Sequence, residues 1–302
     1  MEQPNDRIFN VSQCRKYEFF DILLEAMTNA GWTNIDDDGS EYLLKSTGED
    51  GSQNYVVQLR DWYVTSQAAG SVRTTGQSCF GVRFPLGYTG DSVNGITLAR
   101  PATTYNAAFL FPICTTTAGA SVYDKNVFIK YALSVSKESV CFVIIPATAT
   151  GYGCLAAFFG APDVKYTLDA SSDGLVFASS FGLGYANNYL SVANNCSEIG
   201  TALPDKADRS VRSAVPIRNA NGANKYLMTD IYYENNLEGV RGKINSLLFL
   251  PNTNILTGDD IISEDTNYRY KAAVCEPQGS NARTSFPSQA CAYCVDLGDS
   301  GA

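Results

Sequence analysis

VFIKYALSVSKESVCFVIIPATATGYGCLAAFFGAPDVKYTL, residues 127–168, is the stretch whose reading decides the fold. Val127, Ile129, Tyr131 and Leu133 fall at every second position, which sets one apolar row on one face of a strand. Ser136 to Ser139 is a short polar turn. Val140-Cys141-Phe142-Val143-Ile144-Ile145 follows as a continuous apolar run, too short for most helices and rich in β-branched residues. That is the pattern of a strand buried on both faces. After the small, polar segment Ala147 to Gly153, Cys154 to Gly160 reads as a third strand closed by Ala161-Pro162. The expectation is a β-meander at the centre of the main domain.

The rest of the chain is read outward from this meander. Phe19, Phe20, Leu23, Leu24, Met27 and Ala30 recur at spacings of three and four, the stripe of an amphipathic helix. Ser12 is the expected N-cap, so the helix should open at Val11 to Cys14, and Gly31 stands where a left-handed C-terminal glycine ends a helix. A short strand from Trp32 to Ile35, the turn Asp36 to Ser40, and a hairpin of Tyr42–Ser46 with Asn54–Trp62 complete an expected small unit. Phe80, Val82 and Phe84 alternate as a strand, and Ala107 to Ile113 is a further apolar run. Beyond the meander, Lys225 to Tyr233, Ser246 to Leu250, Asp260 to Ile262, Tyr268 to Val274 and Ala290 to Leu297 all read as strands. Phe181, Tyr185 and Tyr189 recur every four residues, but nearby glycines make the 169–216 region a long loop, suited to partner contacts or to covering the sheet. Gly239 and Gly242 flank Arg241 and predict a turn there. The fold class is therefore mainly β (α+β). It would have an antiparallel β-sandwich-like core in 69–302 and a small helix-plus-hairpin unit in 1–68.

Composition restricts the chemistry. The chain has 302 residues, enough for a sizeable core, and 18% of them are charged, below the usual quarter. The formal net charge of −9 opposes a broad grip on nucleic acid, which needs clustered Lys and Arg to release counterions. The densest basic segment, with Lys206, Arg209, Arg212 and Arg218, is interspersed with Asp205 and Asp208, which fits a solvated or interface segment. No apolar run reaches the roughly 18 residues of a membrane span, and the first residues lack a basic-then-apolar leader. No nucleic-acid or membrane partner is expected.

The chain has no histidine, so Ser-His-Asp, Cys-His and His-ligated metal arrangements cannot be built within it. It also lacks a phosphate-binding Gly-x-x-x-x-Gly-Lys-Ser/Thr loop. Asp259-Asp260 and Glu49-Asp50 are the carboxylates a glycan hydrolase would draw on, yet neighbours on a strand point to opposite faces. Nine cysteines leave an odd thiol free or paired between chains. Cys141 and Cys154 sit in apolar runs as small hydrophobes. Cys291-Ala292-Tyr293-Cys294 is a C-x-x-C with only Cys275 near it in sequence, too few ligands for zinc. No catalytic residue, metal or cofactor is expected.

Three pieces of the chain resemble structural proteins of tailed-bacteriophage particles. The first is Val140 to Ile145 with Phe158-Phe159-Gly160-Ala161-Pro162 and Tyr166-Thr167-Leu168. The second is Leu237 to Phe249, with Gly239-Val240-Arg241-Gly242 at its head, followed by Gly258-Asp259-Asp260-Ile261 and Tyr268-Arg269-Tyr270. The third is Gly31-Trp32 with Leu43 to Gly51 and Tyr55 to Arg60. Their order is shared and together they span most of the chain.

The resemblance implies a non-enzymatic component of the neck, collar, tail or baseplate, made in the bacterial cytoplasm and carried in the virion. Its partners would be other virion proteins and copies of itself in a symmetric ring. A receptor-binding or capsid decoration protein, and a carboxylate-dependent glycan hydrolase, are the alternatives. Interface candidates on this reading are Arg241, Arg209, Arg212, Phe181, Tyr185 and Tyr189. Cys275, Cys291, Cys294, Cys196 and Cys14 are candidates for disulfides formed late, in a particle that ends outside the cell.

Overall fold

The computed structural model describes residues 7–39, 41–61, 79–83, 109–112, 128–146, 155–165, 175–179, 225–226, 229–235, 239–251, 258–263, 268–275 and 291–299. The elements in chain order are β1 (Ile8–Arg15), α1 (Phe19–Asn29), β2 (Thr33–Asp37), β3 (Glu41–Ser46), β4 (Tyr55–Asp61), β5 (Cys79–Arg83) and β6 (Phe109–Pro112). Next come β7 (Phe128–Val135), β8 (Ser139–Pro146), β9 (Leu155–Gly160), β10 (Val164–Lys165) and β11 (Val176–Ser179). The last are β12 (Lys225–Tyr226), β13 (Thr229–Asn235), β14 (Gly239–Pro251), β15 (Asp260–Ser263), β16 (Tyr268–Cys275) and β17 (Cys291–Asp299). The described chain is mainly β with one short α-helix.

The expected meander is the heart of the first sheet, whose order is β1-β7-β8-β9-β11. Tyr131 lies opposite Ile144, Leu133 opposite Phe142 and Val135 opposite Val140. With Phe159, these residues belong to one buried cluster that also holds Phe19, Leu23 and Met27 of α1 and Leu44, Val57 and Leu59 of the sheet β2-β3-β4-β5-β6. Phe19 meets Tyr131 and Phe142 edge to face, each at 5.4 Å between ring centroids. The alternate positions Ala132, Cys141, Val143 and Phe158 are equally buried and face the other way. There β14, β16 and β17 pack on the meander, and Cys141 Sγ donates to the carbonyl of Ser246 at 3.3 Å.

The first sheet is thus the middle of three layers. That is why Val140 to Ile144 is apolar at every position: neither face of β8 meets water. Each of Phe142, Phe158 and Phe159, fully buried, contributes roughly 1.5–3 kcal/mol of transfer free energy.

The third sheet has the order β10-β14-β17-β16-β15-β12, with β13 also on β14. The C-terminal strand β17 lies between β14 and β16 instead of closing an edge. β12 pairs with β15 in parallel, while the other pairings are antiparallel.

Several expectations are corrected. Ile8 to Arg15 is not the start of the helix: it is a strand along its whole length, in register with β7 from Ile8↔Val135 to Arg15↔Phe128. Eight residues of long-range pairing outweigh a local capping signal at Ser12. The helix begins at Phe19, after a single 3-10 turn whose Glu18 carboxylate accepts the Arg15 amide at 2.7 Å. The expected stop does hold. Gly31 takes φ +99°, its amide donates to Thr28 O and the Trp32 amide to Met27 O, each at 3.0 Å, closing a Schellman motif.

Arg241 is not in a turn; it lies in β14, at a register shift where Tyr233 pairs with Gly242 and Glu234 with Val240. The doubled residue marks a β-bulge. Within the 169–216 region, Val176–Ser179 is strand β11 on β9, and 180–216 lies outside the described residues. The division at 68/69 is crossed by β4–β5 pairing and by that of β1 with β7. Among the described residues no helix is long and apolar enough to cross a membrane.

Candidate functional site

The turn joining β7 to β8 gathers contacts from Trp32 after α1, from the β3–β4 hairpin and from the end of β9. The Ser136 amide donates to Ser139 O at 2.9 Å, and Ser136 Oγ accepts the amides of Glu138 and Ser139 at 3.2 and 3.1 Å, so the loop is held by its own first serine. From the helix side, Trp32 Nε1 donates to Ser136 O at 2.8 Å. From the β3–β4 hairpin, Ser46 Oγ donates to the carbonyl of Lys137, and the Glu49 amide donates to the Glu138 carboxylate at 3.3 Å. From the end of β9, the Ala161 amide donates to Glu138 O at 2.8 Å. Gly160, at φ +126°, brings its backbone so near that an added Cβ would overlap Glu138 O and Ser139 Cα.

Beneath this turn lies a buried cation. Arg7 Nε donates to Ser134 Oγ at 2.6 Å, one terminal nitrogen to Ser139 Oγ at 3.1 Å and Ser136 Oγ at 3.5 Å, and the other to Ser134 O at 3.2 Å. Asp163 stands 4.0 Å from the guanidinium and accepts the Ser246 amide and hydroxyl, each at 3.0 Å. Three hydroxyls, one carbonyl and one carboxylate therefore solvate a charge that has left water. Asp163 carries the link from the middle sheet onto β14. The hydroxyls are spent on holding Arg7 and the turn, so the cluster clamps layers together and presents no activated nucleophile.

Sequence reading found the turn but not its partners. Arg7 lies in a polar leader with no periodicity. Ser134 carried a usable signal: a hydroxyl inside a buried apolar strand needs a partner.

Of the candidate residues, Cys275 and Cys291 meet in strand register, while Cys14 stands apart from them in β1. Cys14 is buried on the helix side of β1, opposite Ile129, and burial first, then the charge of Glu18, pushes its thiol up to about 12. That thiol is neutral and unreactive at ordinary pH. Cys275 and Cys291 are register partners, the last residue of β16 against the first of β17, and Cys294 lies between Leu248 and Ala272. Cys291 and Cys294 stand three residues apart on the one strand β17. Cys196, Arg209, Arg212, Phe181, Tyr185 and Tyr189 lie outside the described residues. Among the described residues no three His, Cys, Asp or Glu side chains converge as a metal site.

One surface stands out. β1 is the end strand of its sheet and, among the described strands, pairs only with β7. Phe9, Val11 and Phe128, on one face of β1 and β7, are 38%, 52% and 49% exposed. The Arg15 guanidinium lies 5.6 Å above the Phe128 ring. No protein-family model and no curated protein matches the chain.

Proposed function

We propose that this chain is a non-enzymatic building block of a tailed-phage particle, in its neck, collar, tail or baseplate, repeated as a symmetric ring. The observation that carries the reading is the end position of β1 in its sheet, with no second partner among the described strands, and its exposed Phe9 and Val11. A protein that works alone blunts such an edge with charge, proline or a cover, because unpaired strand backbone recruits another strand. Here β1 contains no proline, and its one charge is Arg15 at the last position. A second copy of the chain adds its strand to this edge, and other virion proteins meet the remaining surface. The clamped turn supplies the stiffness that such a subunit needs under load. The sequence resemblance to phage structural proteins points the same way, and the product is carried in the virion after synthesis in the bacterial cytoplasm.

Sedimentation velocity of the purified chain tests this. The wild type sediments as a closed oligomer, and Val11→Lys sediments as a monomer with an unchanged melting midpoint, since exposed substitutions typically shift stability by less than about 0.5 kcal/mol. A wild type that stays monomeric at high concentration, or a variant oligomer of unchanged mass, counts against the reading.

A further inference from the structure

We infer that the exposed face of β1 and β7 seats helix α1 of a second copy of this chain, with the neighbour's Asp21 and Glu25 against Arg15 and Lys130. The inference rests on the reading of the chain as a repeated subunit and names the surfaces through which its copies meet.

The seat is built by strand register. Val11 lies opposite Ala132, Gln13 opposite Lys130 and Arg15 opposite Phe128, so Phe9, Val11 and Arg15 share one face with Phe128 and Lys130. Phe9, Val11 and Phe128 are the large apolar side chains that stand exposed among the described residues, and all three lie here. Arg15 and Lys130 are exposed beside them. Apolar surface left in water next to cations is matched by a partner that is acidic and partly apolar. Backbone pairing at an end strand uses groups in the plane of the sheet, so a contact on this face does not compete with it.

The chain carries that partner itself. Asp21 and Glu25 are exposed on α1 at helical spacing i and i+4, which sets them about 5–6 Å apart at Cβ. Arg15 and Lys130 are diagonal neighbours across the ladder, about 7–8 Å apart, a span their long side chains adjust to the two carboxylates. Half-buried Ile22 and Leu24 flank the acidic pair and supply its apolar edges. Among the described residues none of these four charges stands in an ion pair. Other exposed acids are already held by neighbouring donors, Asp37 by Asn34 and Gly39 and Asp50 by Ser52.

Seat and occupant lie on opposite sides of the first sheet. α1 covers the face that carries Ile129 and Tyr131, whereas Phe128 and Lys130 alternate with these on the other face. A copy seated on one neighbour therefore keeps its own seat for the next. That makes the contact heterologous, the kind that closes into a ring.

Charge reversal read by sedimentation velocity tests the match. Arg15→Glu/Lys130→Glu and Asp21→Lys/Glu25→Lys are each made in the full chain. Each variant alone sets like charges against one another, so each is expected to associate at least about tenfold more weakly than the wild type with its melting midpoint unchanged. Mixed in equal amounts, the two restore the wild-type oligomer, because every contact of an alternating assembly joins opposite charges. The wild type itself dissociates more readily as sodium chloride is raised, a readout that no substitution can disturb. An oligomer of unchanged mass in either variant, folded variants that stay apart when mixed, or association independent of salt overturns the inference and leaves the repeated-subunit reading standing. A wild type that is monomeric at high concentration overturns both.

Discussion

Arg7 Nε donates to Ser134 Oγ at 2.6 Å, across 127 positions of sequence, with the guanidinium almost fully buried. This contact holds the segment entering β1 against the end of β7 and lets the β7–β8 turn be solvated from below. Arg7→Met leaves Asp163 facing an apolar chain and strips Ser134, Ser136 and Ser139 of a shared donor. The expected cost is about 3 kcal/mol, the low end for breaking a buried charge pair, because Asp163 keeps its two donors from Ser246. Arg7→Lys cannot reproduce the planar fork and costs more than about 1 kcal/mol. Urea melts measure both, and a loss below about 0.5 kcal/mol for Arg7→Met contradicts the clamp.

Gly160 permits a second test. Its φ of +126° and the nearness of Glu138 O and Ser139 Cα give a side chain nowhere to go, because both obstacles are backbone. Gly160→Ala is expected to destabilise by about 3 kcal/mol or more. Gly39 has φ +83° with nothing within 4 Å of an added Cβ, so Gly39→Ala pays only the left-handed strain of about 1–2 kcal/mol. Equal melting midpoints for the two variants would show that the turn does not confine Gly160.

These two residues also show what the sequence could reveal. The meander was legible because Val140 to Ile145 is apolar at every position, and a strand read that way must have layers on both sides. The helix stop was legible because the Gly31 conformation is a local requirement. The helix start was not, since β1 exists only by pairing with β7, more than a hundred residues away, and nothing near Ser12 encodes that partner. Arg7 and Asp163 escaped for the same reason. Each is an ordinary polar residue until the fold brings Ser134 and Ser246 to it. That Cys275 falls opposite Cys291 likewise depends on the register of two strands, which spacing alone does not fix.

Cys14 predicts a pH dependence. Burial, reinforced by Glu18, raises its thiol from the ordinary 9.0 to about 12 in the folded protein. The folded state therefore holds this proton more tightly than the unfolded state. Its stabilising contribution is complete below about pH 9 and is lost as pH rises from there through about 12. Stability measured against pH should fall across that window less steeply in Cys14→Ala than in the wild type. Iodoacetamide at pH 8 should label Cys14 about a thousandfold more slowly in the folded chain than in urea, following the thiolate fraction. Labelling at the unfolded rate would place the thiol in water.

The proposed role is tested most directly by immunogold labelling of intact particles from the source culture, with antibody raised against the purified chain. The account predicts gold at a fixed position on the head–tail junction, tail or baseplate of every particle. Unlabelled particles, with the protein recovered only from the soluble lysate, would contradict it.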